Sequence, residues 1–547
     1  MTKSLFKHWP LYASVLVFLA IVSIVLYASI SANRGYLVYA GDDAYIGMAV
    51  ARNFAQFGVW GVTRYGFTSL SSTLLWTLLL SLTYYLGGVN QIAPLLWNLV
   101  FAVLILVVSY AILCRYKVSP GVKFAALLGL TLLLPLPLLV VMGMEHTLQT
   151  LLALLTVFLG ARLLSQESPG GARRDTVLLL ILAPLVTSTR FEGMFLIAAL
   201  SGLSLLLKRW RFALGFALCG SLPIIVHGII SVSHGWFWFP TSLLQKASLP
   251  HSASVVDFFL SLVNPVFINF RSALHTLVLV VAVLLAYIVA SGKGSSPAES
   301  RQLFGAVVVL LWLAHFEFVG SSPMYRYDAY LCALSIVYLA MQVPVIAGRL
   351  SRVFQLSTWS NSRNLACGLL ALILFLPLAV KGSRLLWFLP QCTMNTFEQQ
   401  YQMGLFVRQY YQVAVVAVND IGAVNFLADF HCLDLYGLAE PEITAAMRNH
   451  TYQARDIQRL ASQKGARIAS IYESWFMGVL PPEWVRVGTW TIQNNIINGS
   501  DTVSFYAVEH EEAARLRESL LEFAPNLPAD VIPHVAFPIE AQVPARP

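Results

Sequence analysis

LYASVLVFLAIVSIVLYASI, residues 11–30, is a run of twenty residues with no charged side chain. A helix needs about that length to cross a hydrocarbon layer some 30 Å thick. The run follows Lys3, Lys7 and His8 and exceeds the roughly 7–15 apolar residues of a cleavable signal, so it reads as an uncleaved anchor with its N-terminus in the cytoplasm. The rest of the chain repeats the theme. Its 547 residues are 57% hydrophobic and 11% charged, with a mean hydropathy of +0.69, whereas soluble domains hold roughly 45–50% apolar residues. This composition describes a polytopic α-helical protein of the lipid bilayer. The net charge of +8 comes mostly from Lys and Arg between apolar runs, so it reports orientation and gives no reason to expect nucleic acid.

Further apolar runs lie near 70–87, 92–113, 121–142, 146–164, 176–190, 193–207, 212–230, 272–290, 302–319, 329–346 and 364–380. If all twelve cross, the basic connections alternate wrongly. Without 70–87, the connections at Arg115/Lys117, Arg162/Arg173/Arg174, Lys208/Arg209/Arg211, Lys293/Arg301 and Arg349/Arg352/Arg363 all lie on the cytoplasmic side, as the positive-inside rule requires. The expectation is therefore about 11 spans, with 70–87 a juxtamembrane or re-entrant helix and 176–207 two short helices broken at Thr189-Arg190-Phe191-Glu192-Gly193.

This topology places Gly41-Asp42-Asp43 outside, in a first external loop of residues 32–91, together with Gly143-Met144-Glu145-His146, Arg190/Glu192, the long loop 231–271, Ser322-Pro323-Met324-Tyr325-Arg326-Tyr327-Asp328 and everything after Lys381. Adjacent carboxylates at a membrane boundary repel each other and lose solvation. They are the first candidates for chemistry. From residue 390 the composition becomes that of a soluble domain, 390–547, following a membrane domain of 1–389. Strands are expected at 413–418, 468–472 and 484–491 and a helix at 511–523, giving a small extracytoplasmic α/β domain with an extended tail from 526.

The motifs carry a resemblance. Gly41-Asp42-Asp43-Ala44-Tyr45-Ile46, Ala51-Arg52-Asn53-Phe54 and Gly66-Phe67-Thr68-Ser69 look like the first external loop of GT-C superfamily glycosyltransferases, and more narrowly like the mycobacterial terminal β-(1→2)-arabinofuranosyltransferase family. In the same order follow Gly143-Met144-Glu145-His146-Thr147-Leu148, Thr189-Arg190-Phe191-Glu192-Gly193, Phe239-Pro240-Thr241-Ser242 with Lys246, Tyr325-Arg326-Tyr327, Asp420-Ile421-Gly422-Ala423 and Leu433-Asp434-Leu435-Tyr436-Gly437-Leu438. Phe191 stands where the family usually has Pro, and Thr241-Ser242 where Asn-Thr is common.

The resemblance implies an inverting transferase of the bacterial cytoplasmic membrane that takes a sugar, arabinofuranosyl- or mannosyl-like, from a polyprenyl-phosphate donor to a cell-envelope glycan or glycolipid. The first-loop acid is then the base: Asp42, with Asp43 orienting the acceptor or tuning its neighbour. A lipid-phosphate donor carries its own leaving group, so the chemistry needs a base for the acceptor hydroxyl and a cationic cradle for phosphate. Arg326, Lys246 and Arg190 are the cradle candidates, and each has a plainer reading as an interface anchor. The aspartates have one too, as caps of the helix starting near Ala44, and Arg190 as an ion-pair partner of Glu145 or Glu192. Glu145, His146, Glu192 and Tyr325 are candidates for binding substrate. Glu145 and His146 with Asp42 or Asp43 offer a ligand set that suits Mg²⁺ or Mn²⁺, although the chemistry requires no cofactor. Residues 236–239, Trp-Phe-Trp-Phe, read as a sugar or polyprenyl contact or as an interfacial belt. Cys392 and Cys432 fall in the external domain, where a bridge is permitted but not required. The alternative class is a polyprenyl-lipid flippase or solute transporter. It would place ionisable groups at mid-membrane and repeat its halves, and neither pattern is seen.

Overall fold

The computed structural model describes residues 7–165, 171–246, 274–291, 299–319, 324–353 and 361–535. The side chain of Lys246, Lys293 and the tail beyond residue 535 lie outside the described residues. Each of the eleven expected spans corresponds to a helix. Seven helices among the described residues are long and apolar enough to cross a membrane: Trp9–Ala32, Ala93–Arg115, Pro120–Val141, His146–Leu164, Trp210–Ser233, Ser300–Phe318 and Ala329–Arg349. The other four expected spans fall on Ala172–Thr189, Gly193–Leu206, Leu274–Ala290 and the long helix Asn361–Thr396. Residues 70–87 form Leu74–Gly87, a helix of 14 residues. At about 1.5 Å per residue it is too short to cross, and Gly193–Leu206, also 14 residues, is equally short, so helix length by itself does not establish the expected count of 11.

The chain divides into two compact units. The first comprises Met1–Val25, Leu95–Val226 and Ala247–Phe388. Within it, His146–Leu164 and Ala172–Thr189 are strapped together at both ends. Arg162 pairs with Asp175 at one end through Nε to Oδ2 at 2.6 Å, and Arg190 with Glu145 at the other. Such pairs satisfy charges that would otherwise be stranded at the ends of apolar helices. Gly160 brings Leu200 against the first helix, since a Cβ there would lie 2.8 Å from the Leu200 side chain.

The second unit comprises Leu26–Pro94, His227–Lys246 and Leu389–Pro547. The expected boundary at 389/390 falls beside its last junction, and the unit also takes in the first loop and the 227–246 segment. Its sheet has six strands: β1 (Val415–Val418), β2 (His431–Asp434), β3 (Ala466–Ile471), β4 (Val485–Thr491), β5 (Thr502–Ala507) and β6 (Ile532–Val535), in the order β2-β1-β3-β5-β4-β6. β1 pairs in parallel with both β2 and β3, and the remaining pairs are antiparallel. Three of these strands were expected from their β-branched runs. β2, β5 and β6 were not, and β6 falls in the stretch expected to be an extended tail. Ala417, Leu433, Ile443, Ile457, Leu460 and Ile471 form the buried core beneath.

Candidate active site

β1 lies between β2 and β3, so the chain leaves its carboxyl end in one direction for β2 and returns on the other side for β3. In open sheets that reversal leaves a crevice at the carboxyl ends of the strands, the usual ligand position. Asn419 and Asp420 follow β1 there, and Tyr472 follows β3. The Tyr472 hydroxyl lies 2.7 Å from both Asp420 Oδ2 and Gln399 Oε1. Gln400 Nε2 donates to that hydroxyl at 2.7 Å and to Asp420 Oδ2 at 2.9 Å. Two adjacent glutamines reach one hydroxyl because Phe397–Tyr401 is a single π-helical turn, a form rare in proteins and frequent at functional sites.

Asp42 comes to the same crevice. Asp43–Phe57 is a helix with Asp42 at its N-cap, but the Asp42 side chain makes no capping bond to it. Instead Gly422 N–H donates to Asp42 Oδ2 at 2.6 Å and Ala423 N–H to Oδ1 at 2.7 Å. These amides open the short helix Ala423–Leu427. Arg52, three turns along Asp43–Phe57, donates through Nη1 to Phe426 O at 2.8 Å, near the other end of that helix. An acid at the N-terminus and a base at the C-terminus both oppose its dipole. Gly422 is required by closeness, because a Cβ would fall 2.1 Å from Asp42 O and 2.7 Å from Asp42 Oδ2.

Burial pushes the Asp42 carboxyl well above the usual carboxylate range, and the charge of Asp420 adds to it, while the two amides pull the other way. Burial likewise raises Asp420, with Gln400 and Tyr472 opposing and Asp43 adding. Two carboxyls in one crevice therefore share a raised proton affinity. Gly41 N–H donates to Thr396 Oγ1 at 3.0 Å, which ties the loop to the turn preceding the glutamines.

Two further motifs meet in this unit. Thr241 N–H donates to Ser69 O at 2.9 Å, its hydroxyl to Leu438 O at 2.5 Å, and Gln245 Nε2 to Tyr436 O at 2.8 Å. The segments 66–69, 239–242 and 433–438 thus form one knot. Lys246 ends the helix Thr241–Lys246 beside it. Cys392 and Cys432 are free thiols, so the permitted bridge is absent.

The remaining candidates belong to the first unit. Arg190 Nη1 donates to Glu145 Oε1 at 2.5 Å and Nη2 to Glu192 Oε1 at 2.7 Å. A guanidinium already matched by two carboxylates presents no surplus positive charge to a phosphate, which favours the ion-pair reading of Arg190. His146 is fully buried, its Nδ1 4.0 Å from Glu145 Oε1. Arg190 and Arg326 lie 5.2 and 5.7 Å from the ring centre of Tyr327. Tyr325 is buried with a φ of +57°, a conformation costly for a bulky residue and most often retained at functional sites. Lys381 lies over its ring at 4.2 Å and partly offsets the burial that lifts Asp328 to about 6. Among the described residues no group of three or more His, Cys, Asp or Glu is placed to hold a metal ion. Sequence reasoning assigned no role to Asp420, Tyr472, Gln399, Gln400, Asp328 or Lys381. Asp420 carried a signal as part of a quoted motif, and Asp328 as the end of the polar segment 322–328.

The fold is that of a polytopic helical protein with a C-terminal α/β domain. It is similar to ArnT from Cupriavidus metallidurans bound to undecaprenyl phosphate, at 13% identity and a TM-score of 0.52, over 91% of this chain and 98% of that one. The apo state of the same enzyme matches at 14% identity and a TM-score of 0.50 with the same coverage. The archaeal oligosaccharyltransferase AglB from Archaeoglobus fulgidus, in complex with an inhibitory peptide and a dolichol-phosphate, matches at 12% identity and 0.49, over 97% of this chain and 76% of that one. Residues 393–506 match a domain of unknown function, DUF8728. No curated protein matches the chain.

Proposed function

We propose that the chain is an inverting glycosyltransferase that moves a sugar from a polyprenyl-phosphate donor to a cell-envelope glycan or glycolipid at the outer face of the cytoplasmic membrane. The observation that carries this reading is the Asp42 carboxyl, fixed by two amides at the switch point of the sheet with a raised proton affinity. Support for the donor class comes from the fold it shares with ArnT, a structure bound to undecaprenyl phosphate. The motifs of the first loop support an arabinofuranosyl- or mannosyl-like sugar.

In this mechanism the acceptor O–H gives its proton to Asp42 as its oxygen attacks the anomeric carbon. The bond from that carbon to the phosphate oxygen breaks on the opposite face, and polyprenyl phosphate leaves with the electron pair. A carboxylate bonded by one amide on each oxygen retains a lone pair on each for the incoming proton. A base of raised pKa works closer to neutral pH. Arg326 and Lys246 are assigned to the leaving phosphate.

The pH dependence tests the pairing of carboxyls. The negative charge of Asp420 disfavours ionised Asp42, so Asp420→Asn lowers the Asp42 pKa. The acid limb of the kcat/KM profile should move to lower pH. An unmoved limb with altered rate reduces Asp420 to a packing role.

The phosphate assignment is tested by Arg326→Lys, which keeps charge and loses the planar fork, and by Lys246→Gln. Both should lower kcat as well as raise KM, because charge grows on the departing oxygen. Parental turnover in both variants across donor concentrations removes these residues from the assignment.

A further inference from the structure

We infer that the second unit holds a cleft for a saccharide chain, the acceptor of the proposed transfer, built on the loop that follows the Asp42 helix. The inference rests on the glycosyltransferase reading for its ligand class and on separate residues for its site. The cleft has a volume of about 350 Å³, and its lining includes Tyr65, Phe67, Trp236, His431, Glu440 and Lys464.

Its walls are aromatic plates. Tyr65 stacks on His431 at the start of edge strand β2, with centroids 3.6 Å apart and planes 21° apart. Phe67 stacks on His234 at 4.3 Å, and Trp236 stands edge-on to Phe67 at 6.3 Å. Tyr65 is 37% exposed. Glu440 is 6% exposed and is ion-paired with Lys464. Rings stack on the C–H faces of sugars, while a buried carboxylate accepts from hydroxyls through charge-assisted bonds. Covering this ion pair, whose Lys464 side chain is 41% exposed, with hydrocarbon would strip water from its charges, which argues against a polyprenyl tail as the occupant.

The loop is held before any ligand arrives. Asn53 Nδ2 donates to Gly61 O and Val62 O, each at 2.9 Å, and Val62 N–H to the Thr68 hydroxyl at 3.0 Å. The two arms of the loop touch, since a Cβ on Gly61 would fall 2.0 Å from Gly66 O. Arg64 binds Asp429 at 2.7 Å. A wall fixed in this way lowers the ordering cost of binding.

Reach sets the size of the ligand. Asp42 precedes the 15-residue helix Asp43–Phe57 and the cleft loop follows its far end, a helix length of about 22 Å at 1.5 Å per residue. A glycan of several residues spans that length and a monosaccharide headgroup does not. The acceptor is therefore a chain.

The test uses the full-length protein in nanodiscs, titrated calorimetrically with linear arabinan and mannan oligosaccharides. At least one should bind saturably to the parent. Tyr65→Ala and Glu440→Gln should each weaken it about tenfold, roughly 1.4 kcal/mol, while Tyr65→Phe keeps the stack and the affinity. Slow hydrolysis of the lipid-phosphate donor, which needs no acceptor, should be unchanged in Tyr65→Ala. Absence of saturable binding to the parent, or equal binding by Tyr65→Ala, overturns the inference. Binding that persists in Asp42→Asn while transfer fails leaves the cleft standing, and transfer without Tyr65-dependent binding removes the cleft alone.

Discussion

Asp42→Asn should lower sugar transfer by about 10²-fold or more, the usual scale for loss of a general base. The structure adds a second effect. Asp42 accepts one amide on each oxygen, and a carboxamide offers only one acceptor, so one of the Gly422 and Ala423 amides must face an NH₂ group. Leaving a buried donor unsatisfied costs about 1–3 kcal/mol, so the variant should also melt a few degrees lower. Asp43→Asn retains both amide bonds to Asp42 and should show a smaller loss of rate. Rate and melting temperature measured together on both variants separate the two aspartates. Near-parental turnover by Asp42→Asn removes it from the chemistry.

Gly422→Ala should match that loss without touching an ionisable group. The added methyl meets Asp42 O at 2.1 Å and Oδ2 at 2.7 Å, and both already accept hydrogen bonds, O from Tyr45 N–H at 3.0 Å and Oδ2 from Gly422 N–H at 2.6 Å, so the loop bearing Asp42 must move. Overpacking of this kind typically costs about 1–3 kcal/mol. A displacement of about 1 Å at a reacting group is itself worth about 10²-fold in rate. The expected outcome is loss of transfer with the membrane helices intact, read by assay and circular dichroism on the same sample. Gly87→Ala, at the end of the helix Leu74–Gly87, is the control, because a Cβ there meets nothing within 4 Å.

The membrane helices were legible in the sequence because the bilayer imposes a length and an apolar composition on each one. The break at Arg190 was legible for the same reason: two charged residues, Arg190 and Glu192, interrupt two apolar runs, and the helices end at Thr189 and restart at Gly193. The first-loop and 420–423 motifs were each visible, but their meeting was not. A bond between residues 380 positions apart leaves no local periodicity. Asp42 was weighed as a cap of its own helix, the local reading, and it binds the N-terminus of a different one. β2, His-Cys-Leu-Asp, is too short and mixed to show alternation, and the π-helical turn at 397–401 differs from an α-turn only in backbone spacing. Tyr472 and the two glutamines stayed hidden with it.

The central claim is that a polyprenyl-phosphate sugar is transferred with inversion by a base at position 42. The direct measurement is transfer by the purified full-length protein in nanodiscs, from a panel of radiolabelled polyprenyl-phosphate pentoses and hexoses to an oligosaccharide acceptor, with the product's anomeric configuration read by NMR. The account predicts that one donor supports transfer with inversion in the parent, and that Asp42→Asn is at least about 10²-fold slower on that donor. Transfer with retention, or equal rates in parent and variant, would contradict it.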